Sequence, residues 1–493
     1  MDWYWWLLVC VLSAAAGVGA GIGAMYRRGR RKCLPDGRKL LRPMLESHFR
    51  PLVLDGLTIA ERRFPFRVRA DLQRAIDRLF NSTASIRHFC GVRKEHATDG
   101  LNFAALLVDG YSPAVSVPPE YEEVDIGEDE PVRCLKNGLW FLEEKGCRYA
   151  VLLSPSGRPY GEVTGMQFQI AAANDPDGTR MAQAFFQHLE DSILTAESYR
   201  GKVLSLEQPE HSYSGESSGI AVHRLRAVGR EQVILPAATL ELLERNVVQF
   251  VRQRRRLAEF GLATRKGLLF YGPPGTGKTL TIHYLARALE GHTTLLVTAE
   301  QMGLLGEYMT LARLLQPSIV VLEDVDLIAR ERTEMRSPCE ETLLNKLLNE
   351  MDGLKEEADI LFILTTNRPE ALEAALASRP GRVDQAIEFP LPDEDGRDKL
   401  VRLYAAGVAV SDNIVRQVVE RTERVSAAFI KELMRRSLQF HLERNGSGRI
   451  EWEDVESALD EMLFSGGSLN LKLLGAEGAN GGGVGFGRKS RVR

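Results

Sequence analysis

The sequence has few cysteines, no close cysteine pairs and no excess of basic residues. Its six cysteines are scattered over 493 residues, at positions 10, 33, 90, 134, 147 and 339. That spacing argues against a zinc site or a disulfide framework and is typical of a reducing compartment. The formal net charge is −4, whereas nucleic-acid-binding domains usually carry a basic face. We therefore expect no nucleic-acid partner.

Charged residues are absent from Trp3 to Met25. A run of roughly 23 residues is long enough to span a bilayer with some tilt. Aromatic residues lie at both ends, and a basic cluster at 27–32 follows. The positive-inside rule then places the rest of the chain in the cytoplasm. We predict a single-pass transmembrane helix over residues 3–25.

A cleaved signal peptide is the alternative reading of this segment. Small residues at 13–16 offer a cleavage site, but Asp2 stands where a signal peptide carries positive charge. The basic cluster also follows the apolar run instead of preceding it. These features favour the membrane anchor.

Residues 34–228 predict a mixed α/β domain without a catalytic cluster. Apolar spacing indicates helices over 69–80 and 179–196, and strands over 149–153 and 166–170. The acidic stretch 118–131 is interpreted as a solvated loop, with a docking site for a basic partner as the alternative. Residues 212–219, rich in Ser and Gly, read as a linker. If the chain is an ATPase that acts on proteins, this domain is expected to select the protein substrate or adaptor.

A glycine-rich loop lies between an apolar run at 267–271, which predicts a strand, and an apolar-periodic segment at 280–289, which predicts a helix. In that setting the loop is typical of phosphate binding, because backbone N–H groups at a helix N-terminus point at the anion. Lys278 can reach the β- and γ-phosphates of a nucleotide, and the Thr279 hydroxyl can ligate Mg²⁺. The predicted nucleotide-binding residues are Gly272, Pro273, Pro274, Gly275, Thr276, Gly277, Lys278, Thr279 and Leu280.

Carboxylates follow a second apolar run, residues 319–322. Glu323 and Asp324 stand at its end, and Asp326 comes two residues later. Acids at the carboxyl end of a parallel strand lie beside the phosphate loop. One would hold the Mg²⁺ shell and the other would orient or deprotonate the attacking water.

A third apolar run, residues 360–364, leads to Asn367, whose amide can position water near the γ-phosphate. Further along, Arg379 and Arg382 flank a Pro-Gly turn. Such arginines either form surface salt bridges or stabilise the transition-state charge in a neighbouring subunit's site.

From about Leu235 to Leu463 the chain resembles the AAA family of ATPases. The resemblance rests on the loop at 272–279 and on the stretches 343–353, 366–369, 379–384 and 389–393. It implies that Glu323 and Asp324 are the Walker B pair, Asn367 is sensor 1, and Arg379 and Arg382 are arginine fingers in a ring, usually a hexamer. It also implies a helical lid, in which residues 425–429 resemble the family's segment near the adenine.

The chain departs from the family pattern in three ways. The acid order is Glu then Asp, the reverse of the usual order, which leaves the choice of catalytic base open, with Asp324 favoured by alignment. The stretch from Gly306 to Pro317 is short, and Leu304 falls where a substrate-gripping aromatic normally stands. No His-Glu-x-x-His motif follows, so the chain lacks the zinc site of the membrane-anchored AAA proteases.

The predicted fold class is an α/β P-loop NTPase with a parallel sheet flanked by helices and a small helical lid, preceded by a mixed α/β domain and one transmembrane helix. The predicted domains are an anchor with its basic flank (1–33), an α/β substrate or adaptor domain (34–228), the ATPase subdomain (229–395), the lid (396–464) and a disordered Gly-rich basic tail (465–493).

Two functions fit these predictions. The first is a membrane-anchored ATPase with ATP and Mg²⁺ as cofactors. As a homo-oligomeric ring, it would couple hydrolysis to remodelling, unfolding or translocating a protein substrate. The second is a nucleotide-dependent assembly scaffold or chaperone. In it, ATP binding would organise the ring, and slow hydrolysis would return the ring to its starting state. The inverted acids and the missing aromatic favour the scaffold, and the complete set of sensor and arginines favours the motor.

Overall fold

The computed structural model divides into two compact units, which are described separately. The first comprises Met1–Ser198 and Glu207–Ala221, and the second Tyr199–Leu206 and Val222–Arg493. The structure describes the chain except residues 1–32, 34–37, 83–84, 96–100, 108–111, 158–162, 196, 208–218, 328–346, 348, 352, 354–357, 371–381, 406, 445–448 and 463–493.

The first unit is built on a six-stranded antiparallel sheet with strand order β1-β8-β7-β6-β2-β3, and β4 and β5 form a separate hairpin. Its strands are β1 (Leu57–Pro65), β2 (Ser85–Arg93), β3 (Val115–Val117), β4 (Tyr121–Val124), β5 (Val132–Leu135), β6 (Gly138–Glu144), β7 (Cys147–Gly157) and β8 (Val163–Ala173). Its helices are α1 (Leu41–Phe49), α2 (Arg69–Ser82), α3 (Phe103–Leu107) and α4 (Pro176–Thr195).

Helices cover both faces of this sheet. Alternate residues of β7 point to opposite sides, so Val151 and Leu153 join the core under α2 and α4. Ala150 and Leu152 join the core under α1 and α3. Because both faces are buried here, β7 carries an uninterrupted run of buried apolar residues over 149–153. The predicted mixed α/β domain, its two helices and its two strands are confirmed.

The acidic stretch 118–131 is not a plain solvated loop, and that prediction was wrong. It contains β4 and leads into β5, and Val124 and Ile126 are buried. Glu122 accepts a 2.7 Å hydrogen bond from the buried Arg69 of α2. The acidic composition predicted a loop. The hairpin forms because arginines of α2, which is distant in sequence, neutralise part of that charge.

The second unit contains the strands β9 (Val203–Leu206), β11 (Lys266–Tyr271), β12 (Thr293–Val297), β13 (Ser318–Leu322), β14 (Ile360–Thr366) and β15 (Gln385–Glu388), and the short β10 (Ile220–Val222) spans the boundary between the units. These six strands pair in parallel in the order β9-β12-β13-β14-β11-β15. Around it lie α5 (Ala237–Leu243), α6 (Phe250–Glu259), α7 (Lys278–Ala288) and α8 (Leu305–Leu314). The predicted α/β fold with a parallel sheet is confirmed.

Strand β9 joins this sheet from a region that the sequence assigned to the preceding domain. Leu204 pairs in parallel with Leu295 of β12. The Tyr308 hydroxyl accepts a 2.8 Å hydrogen bond from Leu206 N. Residues 199–206 and 222–228 thus pack in the second unit, whereas the predicted domain boundary lies at 228. A four-residue strand is too short to give a sequence signal of its own.

Four helices complete the second unit, namely α9 (Glu394–Tyr404), α10 (Asp412–Arg421), α11 (Ala427–Glu443) and α12 (Trp452–Asp460). Their buried side chains form a separate core that includes Leu400, Val418, Phe429 and Val455. Over the residues described, the predicted lid is helical, as expected. In the ATPase part, a π-helical turn at Glu244–Gln249 separates α5 from α6.

Two predicted segments lie outside the described residues: the membrane span 3–25 and the tail 465–493. The linker 212–219 is described only at Gly219. Within the part of the chain that the structure describes, no helix combines the length and apolarity needed to cross a bilayer.

Candidate functional site

The phosphate loop connects the carboxyl end of β11 to the first turn of α7. Gly272 and Gly275 have φ values of +144° and +76°, a region that favours glycine. At Gly272 a Cβ would also lie 2.2 Å from the Phe389 carbonyl oxygen. The loop therefore needs glycine both for its turn and for its contact with the chain that follows β15.

Lys278 closes the loop on itself. Its Nζ donates hydrogen bonds to the carbonyl oxygens of Gly272, at 2.7 Å, and Pro273, at 3.0 Å. The side chain is 7% exposed. Burial lowers the pKa of Lys278 from 10.5 to about 8, and the nearby Asp324 and Asp326 oppose that shift. The ammonium group thus lies inside the loop, where nucleotide phosphates would bind.

Thr279 and Glu323 approach each other beside the loop. The Thr279 Oγ1 donates a 3.1 Å hydrogen bond to Glu323 Oε1. A hydroxyl and a carboxylate are hard oxygen donors, the ligands that Mg²⁺ prefers, and Mg²⁺ commonly takes few protein ligands alongside substrate phosphates. These two residues fit an Mg²⁺ site that a nucleotide completes.

Asp324 and Asn367 form a second pair. The Asn367 Nδ2 donates a 3.0 Å hydrogen bond to Asp324 Oδ1. Asp324 has a φ of +49°, and Asp is among the few non-glycine residues that adopt this left-handed region at modest cost. The two acids therefore diverge, because Glu323 turns to the threonine of the loop and Asp324 turns to the asparagine after β14.

These residues surround one cavity of about 360 Å³. From the phosphate loop onward it is lined by residues 274–281, Asp324 and Asn367. Gly272 and Pro273 lie outside the lining and contribute through their carbonyl oxygens. The structure thus brings together the predicted loop residues, one predicted acid and the predicted sensor, with Glu323 attached through Thr279.

The opposite wall of the cavity comes from residues that sequence reasoning largely missed. Ala427 and Ala428, from the segment likened to the adenine side of the family site, do line it. Residues 232–235, Leu400, Tyr404 and Lys431 also line it and had not been singled out. They come from short or distant segments without a motif of their own.

The lid contacts the phosphate loop directly. Ala428 N donates a 3.0 Å hydrogen bond to the Gly275 carbonyl. A Cβ at Gly275 would lie 2.9 Å from both Ala428 Cβ and Ser426 Oγ. Ser426 Oγ in turn caps α11 by accepting a hydrogen bond from Phe429 N. The loop and the lid are therefore joined at a position where only glycine fits.

The structure does not bring Arg382 to this cavity. The Arg382 carbonyl packs against Gly267, at the amino end of β11, where a Cβ would lie 2.1 Å from it. The phosphate loop begins at the other end of that strand, five residues away, which is about 17 Å along a strand. Arg379 lies outside the described residues.

The segment expected to hold a pore loop has no exposed aromatic residue. Leu304 ends a 3₁₀ turn at Ala299–Leu304, and α8 begins at the next residue. Leu304 is half-buried. Tyr308 is fully buried and bonds Leu206 N and Gln301 Oε1. The nearest tyrosine thus anchors β9.

Comparison with known proteins agrees with this geometry. Residues 268–391 match the model of the ATPase family associated with various cellular activities (AAA). Similar proteins include the proteasome-activating nucleotidase of Methanococcus vannielii, 30% identical over 272 residues, covering 53% of this chain and 62% of that protein. The ATP-dependent zinc metalloprotease FtsH 1 of Methylacidiphilum infernorum is 33% identical over 246 residues (46% of this chain, 37% of the relative).

The cell division cycle protein 48 homolog of Archaeoglobus fulgidus is 31% identical over 245 residues, covering 48% of this chain and 31% of that protein. This chain spans about three fifths of the length of the archaeal nucleotidases. The phosphate loop, Asp324 and Asn367 all lie within the matched region, so residues 268–391 match an AAA ATPase domain.

Proposed function

We propose that the protein hydrolyses ATP with Mg²⁺ and uses the energy, as a ring oligomer, to remodel, unfold or translocate a protein substrate. The observation that carries the proposal is the grouping of Lys278, Thr279, Asp324 and Asn367 around one cavity beside a phosphate loop, with Glu323 bonded to Thr279.

Binding comes first. Lys278, now bonded to two loop carbonyls, would exchange them for phosphate oxygens, and the backbone N–H groups at the start of α7 would point at the same anion. Thr279 and Glu323 would hold Mg²⁺. When bound, that ion neutralises charge on the β- and γ-phosphates. Residues 232–235 and the lid would enclose the adenine base of the nucleotide.

Hydrolysis then requires a positioned water. Asp324 points into the cavity and is held by Asn367, which suits a base that orients or deprotonates the water. Glu323 is already engaged with the metal-side hydroxyl. These two contacts support the proposal that Asp324 is the base and Glu323 the Mg²⁺ ligand.

The ring is supported by the position of Arg382. Its backbone lies at the far end of β11 from its own phosphate loop. An arginine so placed is suited to a neighbour's site, and a repeated head-to-tail contact forms a ring when its rotation closes. Arg379, on the same turn in sequence, is proposed to act with it.

We further propose that the 3–25 segment anchors the protein in a membrane with the ATPase domain facing the cytoplasm. Its length, lack of charge and following basic cluster support this. The α/β unit ahead of the ATPase domain would select the substrate or adaptor. The names of the relatives, which include a proteasome-activating nucleotidase and a protease, are consistent with work on protein substrates.

Mg²⁺-dependent ATP turnover by the purified full-length chain tests this proposal. Lys278→Ala should abolish turnover, and full activity in that variant would contradict the site. Light scattering with and without ATP should show an oligomer, and a strict monomer under all nucleotide conditions would refute the ring. Mixing Arg382→Ala with Lys278→Ala subunits should restore some turnover if the arginine acts in trans.

A nucleotide-dependent assembly scaffold is the second candidate. The half-buried Leu304 and the buried Tyr308 favour it, because no aromatic side chain is presented in that segment to grip a peptide. ATP turnover measured with and without an unfolded protein separates the two functions. Stimulation supports the motor, and slow turnover that the protein leaves unchanged supports the scaffold.

A further inference from the structure

The carboxyl ends of β13 and β14 carry polar groups that the proposed mechanism does not use. Asp326 is 3% exposed, and its Oδ1 accepts hydrogen bonds from Thr366 Oγ1, at 2.8 Å, and from Asn367 N, at 3.1 Å. Thr366 is fully buried. A single carboxylate oxygen therefore holds two successive residues of the β14 end, one of which is the asparagine that bonds Asp324.

Thr365 connects the strands in the opposite sense, from the end of β14 to the residue that follows β13. Its Oγ1 accepts a 3.0 Å hydrogen bond from Asp324 N, and its side chain is 3% exposed. The bonded residue is the one with the left-handed φ of +49°. A conformation of this kind persists when the surrounding structure fixes it. The Thr365 hydroxyl lies where it can stabilise the turn that aims Asp324.

The two strand ends are thus tied in both directions. Asp326, after β13, holds the backbone of Asn367, and Thr365, in β14, holds the backbone of Asp324. The Asn367–Asp324 side-chain hydrogen bond then joins the two held residues. These three hydrogen bonds connect Asp324, the proposed catalytic base, to the ends of both strands.

We propose that Asp326 and Thr365 are positioning residues, which together form a latch that fixes the Asp324 carboxylate relative to the γ-phosphate. The inference rests on the proposed ATP hydrolysis. The latch acts through Asp324 and Asn367, so its loss should lower kcat while nucleotide affinity stays the same. A displacement of about 1 Å in a reacting group can cost up to about 100-fold in rate.

A merely structural role would give a different result. Removing a buried carboxylate that only joins two strands would lower stability, and any loss of activity would follow the unfolded fraction. Asp454 provides the matched control, because it is a buried carboxylate of the lid that bonds His441 Nδ1 and Glu451 N. The partners that the structure describes for it, namely His441, Glu451 and Arg444, all belong to the lid.

Thr365 allows the cleanest comparison. Thr365→Val keeps the branched shape and removes the hydroxyl, whereas Thr365→Ser keeps the hydroxyl. We expect kcat to fall about 10- to 100-fold in Thr365→Val, with the Kd for ATP within about two-fold of wild type, and we expect Thr365→Ser to retain most activity. Equal activity of the two variants would overturn the role of Thr365.

A double-mutant cycle tests Asp326. If it acts through Asn367, Asp326→Ala combined with Asn367→Ala should lose no more activity than Asn367→Ala alone, because the two changes remove one function. Asp454→Ala should lower Tm without this coupling. Additive losses, or a kcat loss that Asp454→Ala reproduces at equal Tm, would overturn the role of Asp326.

Amide hydrogen exchange gives a readout that does not depend on activity. The Asp324 amide should exchange slowly in wild type and in Thr365→Ser, and faster in Thr365→Val. Unchanged protection in Thr365→Val would contradict the latch even if hydrolysis is established. Absence of ATP turnover in the wild type would instead overturn the proposed function and the latch with it.

Discussion

The hydroxyl of Thr279 lies 3.1 Å from the carboxylate of Glu323, while the adjacent Asp324 turns away to Asn367. The inverted acid pair is therefore arranged as two separate contacts. The longer side chain spans the gap to the phosphate loop. The shorter one occupies a left-handed position between β13 and the sensor asparagine.

Neutralising each acid should separate their roles. Asp324→Asn keeps the size of the side chain and should bind ATP while losing about 10²- to 10⁴-fold in turnover, the usual worth of a general base. Glu323→Gln should retain turnover at high Mg²⁺ and show a raised Mg²⁺ requirement. Turnover at several Mg²⁺ concentrations, with nucleotide binding measured alongside, checks this. The reverse pattern would exchange the two assignments.

Restoring the family's acid order should not improve the enzyme. In Glu323→Asp/Asp324→Glu, the acid at 323 is shorter by about 1.5 Å, one carbon–carbon bond, and loses Thr279. Glu at 324 must also adopt a left-handed conformation, which costs roughly 1–2 kcal/mol. We expect lower turnover and a lower Tm than wild type. A swapped variant as active as wild type would show that the order is arbitrary.

The lowered pKa of Lys278, about 8, predicts opposite pH effects on binding and on stability. ATP binding needs the ammonium form, so affinity should fall by up to about tenfold per pH unit above 8. Between about pH 8 and pH 10.5 the unfolded chain binds more protons at this residue than the folded chain does. The free energy of unfolding should therefore increase as the pH rises through this range.

Titration calorimetry and thermal denaturation at pH 7, 8 and 9, run on wild type and on Lys278→Met, check both effects. The difference between the two proteins isolates this lysine from other groups that titrate in the same range. The same pH dependence in both proteins would show that the titrating group is elsewhere.

Gly275→Ala should uncouple the phosphate loop from the lid. The new Cβ would lie 2.9 Å from Ala428 Cβ and would require a left-handed alanine. We expect ATP affinity to fall by about tenfold or more, because forcing an extra carbon into a packed contact costs about 1–3 kcal/mol and displaces one wall of the cavity. Gly303→Ala is the matched control, since its added Cβ would meet no described atom within 4 Å beyond its own chain neighbours. Equal affinity in both variants would contradict the contact.

Tyr308→Phe should loosen β9 without touching the nucleotide site. It removes the hydroxyl that accepts from Leu206 N and donates to Gln301 Oε1, and it leaves a buried backbone N–H without that partner. A loss of about 1–3 kcal/mol in the free energy of unfolding is expected. Chemical denaturation measures it, with ATP affinity as the internal control. No change in stability would show that β9 does not depend on this tyrosine.

The local chemistry of the site could be predicted from the sequence because contiguous motifs specify it. The loop at 272–279 needs its glycines, lysine and threonine in fixed order, and its strand and helix follow from apolar spacing. The acids and Asn367 were found in the same way, at the ends of apolar strands. The opposite wall at 232–235, Tyr404 and Lys431 could not be found, because no motif connects these residues in sequence.

The sequence by itself determined the parallel α/β ATPase domain, its phosphate loop and the identity of its acids, since each depends on residues close together in the chain. Only the tertiary structure decided that Glu323 meets Thr279 and Asp324 meets Asn367, that β9 belongs to the ATPase sheet, and that the acidic stretch near 122 contains a hairpin strand held to α2. These outcomes depend on one left-handed backbone angle and on contacts between distant residues, neither of which periodicity or composition encodes.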